Sequence, residues 1–480
     1  MISFPVRSMI RGARGGLLAG TAFLALSACA AIPDLGLAPE PKAASGYAAG
    51  QSFAAPVKEW PSDNWWKAYG DNQLDGLIEE ALATSPDLAQ AQARVHQAEA
   101  YAQEAGATLG PHLDAVASVA EVKQSYNMGF PPALVPHGWQ DTGTGALALN
   151  WQLDFFGKNR ALLAAATSET EAAQAEEAAA RLTLSTAIAA AYADLDQLYA
   201  DRDAADDALK VRSESEQLIT QRRVQGLETQ AAQDRAHAGR AAAEAELAAL
   251  DEAIGLTRNR IAALIGQGPD RGLSITRPQP GAIRAFGLPA NLQAELIGRR
   301  PDVVAARLTA EAEAKRIKAA KADFYPNVNL VGLIGYQSLG LSMLTNAGSS
   351  FGSIGPAITL PIFESGQLQG AYRGARAKYD EAVATYDQTL VRALKDVADS
   401  AVSAKALDAR LAKSREAFDA AQGAYDLTRQ RYARGLGTYL DVLTAEDALI
   451  ANRRAVADLQ TRAFTLDVAL IRALGGGYRA

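Results

Sequence analysis

One thiol stands in the 480-residue sequence, Cys29. It follows Leu26-Ser27-Ala28, at the end of a stretch with the three parts of a secretory leader: Arg7, Arg11 and Arg14, an apolar run from Gly15 to Leu26, then small residues. The four residues resemble the cleavage box at which a cysteine sulfur takes up lipid and becomes the first residue of the mature chain. A lone cysteine has no disulfide partner in the chain, and in an exported protein it is otherwise a leftover thiol. A lipid anchor accounts for it, and cleavage nearby that leaves an inert thiol is the alternative.

Other residues with chemical potential do not assemble into a site. His96, His112, His137 and His237 fall in no metal-ligand spacing, and no Ser/His/Asp or Cys/His set is visible. Gly475-Gly476-Gly477 lacks the strand-turn-helix setting of a phosphate loop. No catalytic residue, cofactor or metal is expected. The formal charge is -7, and loss of the three leader arginines leaves -10, a balance that disfavours nucleic acid as a partner.

The elements that carry these residues come twice. Ser85-Pro86-Asp87-Leu88 opens an Ala-rich run reaching Pro111, and Arg300-Pro301-Asp302-Val303 opens another reaching Pro326. Leu153-Asp154-Phe155-Phe156-Gly157 answers Ile362-Phe363-Glu364-Ser365-Gly366, and Gly226-Leu227-Glu228-Thr229 answers Gly435-Leu436-Gly437-Thr438. Such a period is far longer than the roughly 20 to 50 residues of solenoid repeats. One unit has been duplicated in tandem.

Proline is absent between Pro136 and Pro269 and again after Pro361, and both stretches are rich in good helix formers. Gly226 and Gly435 are the breaks, so a first helix is expected from about Lys158 to Gln225, on the order of 100 Å long. Leu184, Ile188, Ala191, Leu195, Leu198, Arg202, Ala205 and Leu209 follow the four-three spacing of a coiled-coil seam, with Arg202 out of character. The second half keeps the phase with smaller residues: Ala393, Val397, Ser400, Ala404, Leu407, Leu411, Ser414 and Phe418. Small seam residues suit helices laid closely side by side in a wall, although periodicity alone fits a plain bundle equally well.

Each half also holds two extended segments. Leu147, Leu149, Trp151, Leu153 and Phe155 alternate with polar or small residues, a two-faced strand from Gly145 to Phe155. Its counterpart runs from Ile354 to Ile362, where Pro356 sits badly for a central strand. The partners are about His112 to Lys123 and Asn327 to Tyr336, with long tips at Ser125 to Gly143 and Ser338 to Ser353. Outside the leader no apolar run reaches the roughly 18 residues of a helical span. Four strands of about ten residues have the length to cross a bilayer, but four cannot close a barrel, and open edges do not survive in lipid. Two chains would supply eight strands and three would supply twelve; a soluble four-stranded sheet packed on helices is the other reading.

These residues resemble the outer-membrane efflux proteins, the TolC-like exit ducts, and within them the lipoprotein branch that serves resistance-nodulation-division pumps. The carriers, in order, are Asn64-Trp65-Trp66 with Tyr69 and Leu74, Ser85-Pro86-Asp87-Leu88, Trp151 with Asp154-Phe155-Phe156-Gly157-Lys158, Arg299-Arg300-Pro301-Asp302, Phe324-Tyr325-Pro326, Leu360-Pro361-Ile362-Phe363, and Gly435-Leu436-Gly437-Thr438-Tyr439-Leu440-Asp441-Val442-Leu443. The resemblance implies an α+β membrane protein with a long α-helical coiled-coil tunnel and four transmembrane β-strands per chain, completing a 12-stranded barrel in a homotrimer. It implies export of small toxic compounds with a periplasmic adaptor and an inner-membrane pump as partners. In lipoproteins of this kind an aspartate after the cysteine favours the inner membrane; Ala30 stands here, so outer-membrane lipid is the expected anchor.

The resemblance also implies a periplasmic gate beside Gly226 and Gly435. Asp441 matches an acidic ring position, and Tyr432 matches a tyrosine that ties the closed end in some relatives. Gly437 stands where some relatives have a basic partner, Thr444 where they have a second acid, and Ala232 where the tyrosine's carboxylate would be. Closure here must use different bonds.

The expected organisation is a signal peptide at 1–28, a lipidated tether at 29–61, a first repeat at 62–268 with a hairpin at about 112–155, a linker at 269–289 that contributes to a belt, a second repeat at 290–475 with a hairpin at about 327–363, and a tail at 476–480. Trp60, Trp65 and Trp66 are candidate anchors for the tether or plain packing residues. Two other functions stay open: a duct for secreted protein or oligosaccharide, and a coiled-coil lipoprotein that conducts nothing.

Overall fold

The computed structural model describes residues 32–127, 131–281, 286–364 and 366–480. Cys29 and the signal peptide expected at 1–28 lie outside the described residues. In chain order the elements are β1 (Val57–Lys58), α1 (Asn72–Thr84), α2 (Pro86–Ala107), β2 (His112–Val122), β3 (Gln140–Leu153), α3 (Lys158–Val224), α4 (Gln230–Leu264), α5 (Asp270–Leu273), β4 (Leu288–Pro289), α6 (Leu292–Arg299), α7 (Pro301–Ala322), β5 (Asn327–Leu339), β6 (Ser350–Thr359), α8 (Gln367–Ala433) and α9 (Tyr439–Ala473).

The duplication is preserved in helix length. α2 and α7 each have 22 residues, α3 and α8 have 67, and α4 and α9 have 35. Proline opens both 22-residue helices, where its missing N–H and fixed φ suit the first turn. In the linker, Leu288 and Pro289 of β4 run parallel to Val57 and Lys58 of β1.

The chain forms two compact units, one of residues 32–40, 96–171 and 307–385, the other of residues 41–95, 172–306 and 386–480. The first holds a four-stranded antiparallel sheet in the order β2-β3-β5-β6. Its strands reach further into the hairpin tips than the apolar pattern suggests: β3 begins at Gln140 and β5 continues to Leu339. The Thr and Gly residues at 142–145 carry no hydrophobic signal, yet their backbone pairs with both neighbours. At the other end β3 stops at Leu153 and β6 at Thr359, short of Phe155 and Ile362. Pro356 lies in β6, an edge strand, where proline is tolerated.

The second unit buries its largest side chains in three clusters. Trp65, Trp66 and Tyr69 pack with Leu74 and Ile78 of α1, Ile188 of α3 and Phe464 of α9. The two tryptophans are core residues, each 2 % exposed. Trp60 packs at the margin of a second cluster containing Leu296, Leu390 and Val397, with the Arg299 guanidinium 5.1 Å from its ring. The expected seams are enclosed over part of their length: Ile188, Ala191 and Leu195 on α3 and Ala393 and Val397 on α8 are fully buried, whereas Leu407, Leu411, Ser414 and Phe418 further along α8 are only half-buried. Arg202, the misfit, turns to Asp251 of α4 at 2.6 Å. Charge on a long flexible stem can leave the seam while its methylenes stay in it.

Candidate functional site

Two places in the fold carry functional geometry, and each is built from a repeated motif. In the first unit, register sorts the sheet into two faces. Leu113, Leu149, Gly332 and Ile354 stand in one row, Trp151, Leu330 and Pro356 in another, and Leu153, Val328 and Ile358 in a third. The opposite face carries Asp114, Asn150, Gln152, Asn327, Asn329, Gln337, Ser353 and Thr359, with Val331 and Leu333 among them. The apolar side chains are not covered within the chain: Leu113, Ile334, Ile354 and Ile358 are each about two-thirds exposed or more. β2 and β6 each have one edge unpaired among the described residues. Such edges bind further strands readily.

Below this sheet Asp154-Phe155-Phe156-Gly157 forms the strand-to-helix turn. Asp154 accepts from the backbone N–H groups of Asn159 (3.1 Å) and Arg160 (2.9 Å) and from Arg160 Nε (3.2 Å). Burial opposes its charge, but the two backbone donors and the Arg160 guanidinium outweigh burial and hold the carboxyl below the usual aspartate range. Phe156 stacks on Tyr325 at 4.9 Å, and Phe155 and Phe363 are exposed. Aromatic residues at that level are the composition of a membrane-interface girdle.

The second place is the pair of helix breaks. Gly226 and Gly435 have φ of 69° and 74°, the left-handed region open to glycine. Each closes its helix with the two backbone bonds of a Schellman motif: Gly226 N to Arg223 O and Leu227 N to Arg222 O, then Gly435 N to Tyr432 O and Leu436 N to Arg431 O. Thr229 then caps α4 and Thr438 caps α9. Asp441 completes a capping box: its Oδ2 accepts from Thr438 N at 2.9 Å and from Thr438 Oγ1 at 2.8 Å. The Thr438 backbone and hydroxyl donors hold this exposed carboxyl below its ordinary range. The T-x-x-D spacing announces that cap in the sequence, and it gives Asp441 a local structural duty.

Tyr432 is 1 % exposed and donates its hydroxyl to Glu228 Oε1 at 2.6 Å. Arg222 lies 4.6 Å from its ring and donates to its backbone carbonyl at 3.3 Å. Burial, then the Glu228 carboxylate, push the phenol well above its normal range. The carboxylate that the resemblance sets at position 232 is absent, and Glu228, in the turn itself, faces the tyrosine instead. Sequence reasoning missed this acid. The available signal was Glu228 facing Gly437 across the repeat, an acid on one side where the other has nothing. Arg429 of α8 meets Glu214 of α3 at 2.9 Å, a further link between the helix pairs.

Among the described residues no helix is long and apolar enough to cross a membrane. The chain matches the family described as outer membrane efflux protein over residues 77–267 and 292–476. FusA, the fusaric acid resistance protein of Burkholderia cepacia, is 33% identical over 74% of this chain and 68% of its own. MdtP, the multidrug resistance outer membrane protein of Escherichia coli, is 30% identical over 88% of both chains. The crystal structure of the outer membrane protein VceC from Vibrio cholerae superposes with a TM-score of 0.83 at 47% identity, covering 88% of this chain and all of that one. With the duplicated helices, the two-faced sheet and these likenesses together, the chain belongs to the outer membrane efflux protein family.

Proposed function

We propose that three copies of this chain join their sheets edge to edge into one twelve-stranded barrel in the outer membrane, and that the duct so formed is the exit component of a tripartite system exporting small toxic compounds. A periplasmic adaptor and an inner-membrane pump are its partners, and the work is passage rather than catalysis. The carrying observation is the four-stranded sheet with two free edges, one apolar face and one polar face. The strands, of 10 to 14 residues, have the length to span a tilted barrel wall. Twelve strands leave a lumen, whereas eight would be filled by side chains.

In this reading the helix breaks form the periplasmic gate, closed by the Tyr432–Glu228 bond and ringed by three copies of Asp441. Cys29 carries the lipid. The test is to place one cysteine on each edge strand, Ser118→Cys in β2 and Ser353→Cys in β6, in full-length protein. Oxidation should give a covalent trimer that conducts in planar bilayers. Within one chain the two positions lie on opposite edges of the sheet, too far apart to bridge, so the absence of any disulfide between chains, with no conductance, would retire the proposal. Incorporation of labelled palmitate that Cys29→Ser abolishes tests the anchor.

A further inference from the structure

Glu446 of α9 is 1 % exposed, the most enclosed carboxylate among the described residues. Its Oε2 accepts from Ser215 Oγ of α3 at 2.8 Å. Its Oε1 lies 3.8 Å from Arg212 Nε, too far for a hydrogen bond, because Arg212 commits its Nη2 to Asp447 at 2.9 Å. Val442 and Leu449, one turn to either side on α9, are buried with Ile219 of α3 and Tyr425 of α8. An ionised carboxylate with one hydrogen bond and a displaced cation is poorly compensated in such surroundings.

The charged and titratable groups around it come from every packed element. α3 brings Arg212, Glu214 and Glu216; α8 brings Tyr425 and Arg429; α9 brings Tyr439 and Asp447. From α4, Arg240 and His237 both hold Glu216, and Gly239 leaves the room that Arg212 occupies, since a Cβ there would stand 2.8 Å from Arg212 Nη1. Burial raises the Glu446 carboxyl above the ordinary glutamate range, with Ser215 and Arg212 opposing and Asp447 adding to the rise.

We propose that Glu446 is a positioning residue for the gate, whose carboxyl tightens the union of α3 and α9 when it takes up a proton and loosens it when it gives the proton up. This rests on reading the adjoining helix breaks as the gate. The direction follows from linkage: a state that encloses the carboxyl binds the proton more strongly than one that wets it, so acid favours the enclosed state and rising pH favours parting. Asp441 titrates in a lower range, because its cap stabilises the charge. The two carboxyls can therefore be told apart by pH.

The test uses full-length protein with spin labels at the exposed positions Gln217 of α3 and Ala448 of α9, read in detergent and, in parallel, as conductance in bilayers. In the parent the α3–α9 distance should lengthen as pH rises from below the ordinary glutamate range to above neutrality. Glu446→Gln should hold the short distance at every pH. Ser215→Ala, which removes the donor to the charged form, should move the midpoint up by about one pH unit, the size of a hydrogen bond to a charged group. A parent distance indifferent to pH, or a Glu446→Gln protein that keeps the parent's pH response, overturns the proposal; if that variant does not fold, an unmoved midpoint in Ser215→Ala does so. A channel that conducts while the distance ignores pH sinks the latch alone. A distance that follows Glu446 in a protein that never conducts sinks the duct and keeps the latch.

Discussion

Tyr432 donates to Glu228 across 2.6 Å although 204 positions of chain separate them. The bond joins the two helix breaks directly, and its acceptor sits in a turn rather than on a helix face. Tyr432→Phe and Glu228→Gln should each raise single-channel conductance. In urea unfolding the double-mutant cycle should give a coupling of about 0.5–3 kcal/mol, as residues in one hydrogen bond do. Additive effects would show that the contact holds nothing.

Asp441 combines a cap with a charge. Asp441→Asn keeps an acceptor oxygen and removes the charge, so α9 should lose under about 1 kcal/mol, while block by divalent cations should weaken severalfold. In the parent, block should persist as pH falls to the ordinary aspartate range and fade only below it, because the carboxyl is held low by Thr438. Titration of the block against pH decides the matter.

Gly435 adopts a φ of 74° at the end of α8. Alanine there should destabilise the helical unit by about 1–2 kcal/mol, the left-handed penalty for a residue with a Cβ. Circular dichroism during denaturation provides the measurement.

Arg300 is largely buried and forks to Asp302 at 2.6 Å and Asp396 at 3.0 Å, tying the start of α7 to α8. Its two partners are partly exposed, so removal leaves them wet rather than stranded. Arg300→Ala should lower unfolding free energy by about 1.5–3 kcal/mol, as for hydrogen bonds to charged groups. Arg300→Lys should recover only part, since a point charge cannot reproduce the fork.

Asp201 on α3 is pushed up to about 6, by burial first and then by the neighbouring Asp458 of α9. A carboxyl whose folded value is raised stabilises the fold fully at pH below its unfolded value and loses that contribution as pH climbs through about 6. Asp201→Asn should therefore raise the thermal midpoint at pH 8 and leave it unchanged near pH 3. Equal shifts at both would contradict this origin.

Reading the chain by itself brought out whatever depends on local order. Helix extents followed from proline-free runs and from Gly226 and Gly435, because a left-handed helix end is a property of a few consecutive residues. The duplication was visible as repeated motifs, and alternation from Leu147 to Phe155 marked a strand, two residues longer than the one that ends at Leu153, because period two survives without any knowledge of the partner. Tertiary structure decided the rest. The Thr and Gly residues at 142–145 became strand only because two neighbours bond their backbone. Glu228 became the partner of Tyr432, and Glu446 became enclosed beside Arg212, because separate helices converge there. Periodicity tells which way a side chain faces along its own element; which charge waits opposite is set by packing between segments more than two hundred residues apart.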